Sequence, residues 1–140
     1  MAEPVHWKKP RRLNAVSGTL LVLVIAGAYW MWRFFPAYFD AWTVDHILKE
    51  TAAAIYRANR LREPERSTTL KELVDKAVAD IRKRASVTDP ELQVEMEIQD
   101  DHASVTADYH VVVTHPSISK TTTLHFKRRA DANIKTVRWD

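Results

Sequence analysis

The sequence has no cysteine and only two glycines among its 140 residues, and these absences restrict its chemistry. Without cysteine there is no disulfide framework, no thiolate metal site and no thiol nucleophile. Because glycine is absent after Gly27, the chain has neither a glycine-rich phosphate loop nor the Gly-x-Ser-x-Gly turn of serine hydrolases. Several large classes of enzyme and nucleotide-binding protein are therefore excluded.

Most of the chain also lacks an excess of basic over acidic residues, although the sequence pI is about 9.3. Residues 1–33 contain five Lys/Arg and one acid, which gives a net charge of +4. Residues 34–140 contain the other sixteen Lys/Arg and seventeen acids, for a net charge of −1. Nucleic-acid binding requires a positively charged surface that faces the phosphates. We therefore expect no nucleic-acid partner.

One long uncharged run lies between Arg12 and Arg33 and contains twenty residues. As an α-helix it would measure about 30 Å, which matches the hydrocarbon core of a bilayer. The run ends in large aromatic rings, whereas a cleaved signal peptide ends in small residues. We predict a basic tail over residues 1–12 and an uncleaved, single-pass transmembrane helix, a signal anchor, over residues 13–35.

The charges on either side of this run predict its direction in the membrane. Four basic residues precede it, namely Lys8, Lys9, Arg11 and Arg12. By the positive-inside rule the N-terminus is cytoplasmic and residues 36–140 lie outside. For a bacterium this places the anchor in the inner (cytoplasmic) membrane and the following domain in the periplasm. Arg33 is long enough to extend from the outer end of the span toward the headgroups.

The outer end of the predicted span is rich in aromatic side chains. Eight rings fall within fourteen residues: Tyr29, Trp30, Trp32, Phe34, Phe35, Tyr38, Phe39 and Trp42. An interfacial belt needs only a few of them. Trp and Tyr are also common anchors of protein–protein interfaces, so this cluster is the predicted contact with other integral-membrane subunits. Ordinary interfacial anchoring, combined with packing against the external domain, explains the cluster equally well.

The external part of the chain is predicted to be an α+β domain that begins with two amphipathic helices. Pro36 is placed where a helix kinks or restarts, and apolar residues then recur at helical spacing over residues 41–58. A polar loop follows. Thr69 and Glu72 have the spacing of a capping box, and the apolar stripe after them predicts the second helix over residues 68–85.

The period of the apolar residues changes from helical to two after this helix, which indicates strands. The alternation is clear over residues 91–98, 104–113 and 121–127. A last and weaker strand is predicted from Ile134 to Trp139. The pattern predicts a three- to four-stranded antiparallel meander with one wet face and one face that the helices cover.

The six histidines are the one set of side chains that offers metal binding or acid–base chemistry. If the alternation holds, His110 and His125 lie on the polar face of neighbouring strands and are cross-strand neighbours. A zinc site there needs a third ligand, for which Asp108 and Glu97 are candidates. Because exposed histidines are common on polar strand faces, we predict no metal site, no cofactor and no catalytic residue.

The layout resembles a family of small bacterial membrane proteins to which no activity is assigned. The matching features are Pro36-Ala37-Tyr38 at the end of the anchor, the helix near Val44 and Leu48, Tyr109 within a strand and Phe126 in the next strand. The resemblance covers most of residues 18–130. It implies an anchored α+β protein and supplies no activity.

The same layout looks like a type IV pilin, which carries an α/β head on a hydrophobic N-terminal helix. Pilins are cut after a glycine and normally have a glutamate at the fifth residue of the mature chain. Here Gly18 is followed by Thr19-Leu20-Leu21-Val22-Leu23, so the acid is missing. This departure argues against pilin processing and filament assembly.

We expect a non-catalytic accessory subunit that packs beside a larger integral-membrane complex through its helix and its external domain. The lipid bilayer and other membrane subunits are its expected partners, and the sequence leaves the question of a small-molecule ligand open. Two alternatives stay open. One is a pilin-like component of a filament or pseudopilus, and the other is a membrane-tethered metal-binding or enzymatic module built on His110 and His125.

Overall fold

Two helices are followed by three antiparallel strands in the computed structural model, which describes residues 15–99 and 101–134. The elements are α1 (Ala15–Ala58), α2 (Glu65–Arg84), β1 (Gln93–Ile98), β2 (His102–His115) and β3 (Lys120–Asn133). The strands form one sheet in the order β1-β2-β3. The predicted α+β class, with helices first and an antiparallel meander after them, is confirmed.

The long helix α1 joins the predicted span and the first amphipathic helix without a break. It contains 44 residues and Pro36 lies inside it, so the proline does not end the helix as the sequence had allowed. The turns after Pro36 are held by packing, because Ala37, Ala41 and Val44 are buried there. Tertiary contacts of this kind offset the helical hydrogen bond that a proline cannot donate.

The part of α1 before Pro36 has a different environment. Its apolar side chains, from Val16 to Trp32, stay exposed in the folded chain. By length and composition α1 is the one helix, within the described residues, that is apolar enough to cross a membrane.

The second helix begins three residues earlier than predicted, and the predicted capping box is wrong. Pro64 occupies the N-cap position and makes no side-chain cap, while Thr69 lies inside the helix. The hydroxyls of Ser67 and Thr68 instead donate to the Pro64 carbonyl at 2.8 and 3.3 Å. A proline beside the first turn loses no helical hydrogen bond, and this favours the earlier start. At the other end, Arg84 donates to Glu50 at 2.9 Å and joins α2 to α1.

The sheet has the two faces that the alternation predicted. Tyr109 pairs with Phe126, and His110 pairs with His125 one residue further on the opposite face. β3 continues to Asn133, beyond the predicted end at residue 127. Of the predicted fourth strand only Ile134 is described; its amide donates to the carbonyl of Asp101 at 2.9 Å. Residues 135–139 lie outside the described part of the chain.

The core lies between α1 and the apolar face of β2 and β3. Alanines on the inner side of the helix, among them Ala37, Ala41 and Ala52, have almost no exposed surface and let the helix approach the sheet closely. Larger side chains fill the remaining space, and those with the least exposure are Tyr109, Ile47, Leu48, Ile55, Ile81, Val44 and Val105. This packing fixes the direction in which each ring of α1 points.

Candidate functional site: the aromatic turns of the long helix

The aromatic rings of α1 divide into an outer and an inner group. The outer group, which we call the outer aromatic stripe, consists of Trp32, Phe35, Phe39 and Trp42. Steps of three, four and three residues place these side chains on one face of a helix. That face is opposite the buried residues Ala37, Ala41 and Val44, so the stripe points away from the sheet.

The outer aromatic stripe is exposed and continuous. Phe39 is 50% exposed and Trp42 is 66% exposed. The ring centroids of Phe35 and Phe39 are 6.1 Å apart, and those of Phe39 and Trp42 are 5.9 Å apart. These distances lie within the range of favourable aromatic contacts. From Phe35 to Trp42 the stripe is therefore an apolar ridge of successively packed rings, and the exposed Trp32 extends the same face toward the N-terminus.

The inner group contacts the protein's own sheet. The Tyr29 hydroxyl lies 3.4 Å from His115 Nδ1, and the rings of Phe34 and His115 are 5.7 Å apart. Tyr38 meets Phe126 edge-on at 5.8 Å. The predicted partner residues Tyr29, Phe34 and Tyr38 are thus placed in contacts with the sheet, and packing of this kind was the alternative explanation for part of the cluster.

Trp30 belongs to neither group, since it is largely exposed and packs on Phe34 at 5.3 Å.

The basic residues predicted to set the topology, Lys8, Lys9, Arg11 and Arg12, lie outside the described residues. Arg33 is half-buried, and its Nε is buried without a hydrogen-bond partner among the described residues.

A second candidate site lies on the polar face of the sheet, where two histidines are stacked. His110 and His125 are directly opposite each other, as predicted, with ring centroids 4.7 Å apart and planes inclined by 18°. His125 Nε2 lies 2.5 Å from Asp108 Oδ1. His110 Nδ1 lies 3.4 Å from Asp89 Oδ2. Each imidazole is therefore paired with a carboxylate of its own.

This arrangement does not resemble a zinc site. The lone pair of an imidazole nitrogen lies in the ring plane, so nearly parallel stacked rings do not point at one ion between them. The other proposed ligand, Glu97, pairs with Ser104 and is remote from the histidines along the sheet. Among residues 15–99 and 101–134, no group of three His, Asp or Glu side chains is arranged to hold a metal.

Asp89 is the polar residue of this region that the sequence reasoning missed. Its carboxylate accepts the backbone N–H of His110 at 2.6 Å and that of Glu91 at 2.9 Å. These two bonds are the main cause of the lowered pKa of Asp89. The signal in the sequence was an aspartate before Pro90 at the start of a strand region, a position typical of side-chain-stabilised turns. Asp89 therefore fastens the segment between α2 and β1 to the middle of β2.

The same segment borders a cleft of 360 Å³ between Asp40 of α1 and residues 110–112 of β2. Partial burial raises the pKa of Asp40. The cleft contains carboxylates and one imidazole but offers no nucleophile within hydrogen-bonding distance of His110 in the described chain. It is a groove with both polar and apolar walls and without a recognisable catalytic arrangement.

No protein-family model matches this chain, and neither a curated protein nor a solved structure is significantly similar to it. The function has to be inferred from the geometry of α1 and of the sheet.

Proposed function

We propose that this protein is a single-pass, membrane-anchored and non-catalytic accessory subunit of a larger integral-membrane complex. In this proposal the first half of α1 spans the inner membrane of a bacterium, with the N-terminus in the cytoplasm. The remainder of the chain stands in the periplasm. The outer aromatic stripe binds the partner subunit, and the observation that carries the proposal is the exposure of Phe39 and Trp42.

Support for the anchor comes from the exposure of the apolar half of α1. A soluble domain rarely exposes a contiguous apolar surface of this size, because each buried Å² of apolar area gains about 25 cal/mol. From Val16 to Trp32 none of the side chains of α1 is buried by the rest of the described chain. Lipid accommodates such a helix, because its side chains are apolar and its backbone groups are already hydrogen-bonded to each other.

Support for a protein partner comes from the height of the rings above the membrane. Phe39 lies six residues and Trp42 nine residues beyond Arg33. At the helical rise these positions are about 9 and 14 Å further along α1. The headgroup layer of one leaflet is only about 5–8 Å thick. An upright helix therefore carries Phe39 and Trp42 beyond the lipid, where an interfacial belt no longer explains them.

The apolar surface at these two positions is large enough to matter for binding. With full aromatic side chains of roughly 150–250 Å², the exposed parts of Phe39 and Trp42 present about 250 Å², or roughly 6 kcal/mol on burial before association costs. Because the rings are already packed on each other, little side-chain entropy is lost when a partner covers them. The partner surface that fits is an apolar face of a membrane protein that continues above the bilayer.

The test compares two variants purified from native membranes in mild detergent. Phe39→Ser/Trp42→Ser removes the upper half of the stripe. Val112→Ser is the matched control, since Val112 is 61% exposed but lies on the sheet. We expect wild-type protein and the Val112 variant to co-purify with the same integral-membrane proteins, and the double variant to lose them. Retention of the same proteins by the double variant contradicts the proposal, as does wild-type protein that migrates alone or only with copies of itself.

Anchoring and topology are tested separately with single cysteines, which the natural chain lacks. A cysteine at Ser67, an exposed position in α2, is expected to react with a membrane-impermeant thiol reagent from the periplasmic side of intact cells. Reaction only after the inner membrane is opened would reverse the proposed topology. Extraction of the protein by alkaline carbonate without detergent would contradict the span itself.

A further inference from the structure

The β2–β3 hairpin runs along α1, and its tip lies at the apolar end of the helix. Arg128 contacts Asp45 at 3.5 Å, and Phe126 contacts Tyr38 one step lower. Lower still, His115 lies against both Phe34 and Tyr29. The turn after His115 therefore lies beside the stretch of α1 from Tyr29 to Phe34, at the level of Arg33 or closer to the N-terminus of the helix.

Contacts of His115 hold the hairpin tip at a fixed position along α1. His115 is buried, and its ring lies between α1 and β3. Its Nδ1 is 3.4 Å from the Tyr29 hydroxyl, and its Nε2 is 3.0 Å from Thr122 Oγ1. Because one ring nitrogen contacts α1 and the other contacts β3, the tip moves together with α1 when the helix inserts into a bilayer.

The composition of the tip fits a membrane interface. The turn reads Pro116-Ser117-Ile118-Ser119-Lys120, and its single large apolar side chain, Ile118, is 62% exposed. Ser119 adopts the left-handed conformation with φ 50°, and the Ile118 amide donates to the His115 carbonyl at 3.2 Å. The turn thus presents one aliphatic side chain at its end and a lysine beside it.

A groove of 570 Å³ separates the tip from α1 and has two chemically different walls. The helix side is formed by Tyr29, Trp30 and Phe34, whereas Ser117 and Lys120 belong to the hairpin side. An aromatic wall facing a hydroxyl and an ammonium group matches the junction between the acyl chains and the phosphate of a phospholipid.

We infer that the β2–β3 hairpin tip is a phospholipid-binding element that enters the outer leaflet, with Ile118 among the upper acyl chains and Lys120 at the phosphates. The inference rests on the proposed anchoring of α1. The polar backbone of the turn requires headgroups or water, so the tip stops at the interface. This depth puts the outer hydrocarbon limit near Trp30, and α1 covers about 24 Å from Ala15 to that point.

The absence of natural cysteine allows a direct test with nitroxide labels on the full chain in phosphatidylcholine/phosphatidylglycerol vesicles. Ile118→Cys carries the test label. Leu21→Cys reports the span, and Gln99→Cys reports an exposed position beside the opposite turn of the sheet. Collision with oxygen, which concentrates in lipid, is compared with collision with a water-soluble nickel chelate. We expect the oxygen-to-nickel ratio to decrease in the order Leu21, Ile118, Gln99, with the Ile118 label several-fold above the Gln99 label.

Each outcome has a separate meaning. Equal ratios at Ile118 and Gln99, with a lipid-exposed Leu21 label, overturn the tip inference and leave the anchor intact. A water-exposed Leu21 label overturns the anchor, and the inference with it. An Ile118 label shielded from both reagents shows that protein, not lipid, covers the tip and also overturns the inference.

The contact of Lys120 with phosphates is tested by charge reversal. Lys120→Glu places a carboxylate at the phosphates and is expected to lower the oxygen-to-nickel ratio of the Ile118 label at least two-fold. Lys127→Glu, at an exposed position further up β3, is the charge-matched control and should leave the ratio unchanged. Equal ratios in both variants contradict the phosphate contact.

Discussion

The hydroxyl of Tyr109 offers the sharpest test of the described core. The side chain is fully buried, and its ring stacks on Phe126 at 5.6 Å. Its oxygen is buried and has no hydrogen-bond partner among residues 15–99 and 101–134. Tyr109→Phe removes only this oxygen and keeps the ring contacts. A buried polar group without a partner costs about 1–3 kcal/mol, so we expect the variant to be more stable by roughly 1 kcal/mol at pH 7.

The same burial predicts a difference at alkaline pH. Desolvation raises the pKa of Tyr109 to about 12 in the folded protein. An unfolded tyrosine ionises near pH 10, so between about pH 10 and 12 the unfolded chain releases a proton that the folded protein retains. The wild-type free energy of unfolding therefore falls with pH by up to about 1.4 kcal/mol per unit more than that of Tyr109→Phe.

The assay is urea unfolding in mild detergent, followed by circular dichroism at pH 7, 10 and 11. Every other ionisable group is common to the two proteins, so only the difference between their pH slopes is interpreted. Loss of more than about 1 kcal/mol at pH 7 in the phenylalanine variant would show that the hydroxyl has a partner. Parallel pH slopes would show that Tyr109 is not desolvated. Either result would contradict the burial of an unpaired hydroxyl at Tyr109.

Three further predictions concern packing, the linker and the histidines. Leu48→Ala leaves a cavity between α1 and the sheet and should lower the free energy of unfolding in urea by about 2–5 kcal/mol; a loss below about 1 kcal/mol would contradict the described packing. The lowered pKa of Asp89 means that its carboxylate stabilises the fold above about pH 4 and stops doing so as pH falls through the folded pKa. Asp89→Asn should therefore lower the melting temperature at pH 7 but make little difference at pH 2, and an equal effect at both would contradict the role of the charge. His110→Ala/His125→Ala should contain the same amount of zinc as wild type by elemental analysis, and a lower content would revive the metal-site hypothesis.

The sheet was predictable because its two faces differ in polarity. Along β2, the alternation of Val105, Ala107 and Tyr109 with polar residues placed the core face and the stacked histidines correctly. The extension of β3 was not predicted, because Ala130 and Ala132 are small and the residues around them are charged. A short apolar side chain beside Arg129 gives a weak periodic signal even when its strand is paired throughout.

The two groups of rings in α1 were not separable from the sequence. Which aromatic residues face the sheet depends on the helix continuing through Pro36 with the same phase, and a proline leaves that phase open. The contact of His115 with Tyr29 joins residues 86 positions apart, and no local pattern indicates it. Sequence spacing therefore predicted the aromatic cluster. It did not predict which rings form the outer aromatic stripe or that the β2–β3 hairpin lies beside the others.

The unbroken course of α1 through Pro36 also has a mechanical consequence. In a chain anchored as proposed, α1 acts as a stiff lever that pivots about its membrane segment. From Arg33 to Ala58 it extends about 38 Å, so a change of about 10° in the tilt of the membrane segment moves the far end by roughly 7 Å. Because the β2–β3 hairpin packs along the same helix, the whole sheet moves with α1. Under the proposed anchoring, a change in the thickness or curvature of the membrane therefore becomes a displacement of the sheet.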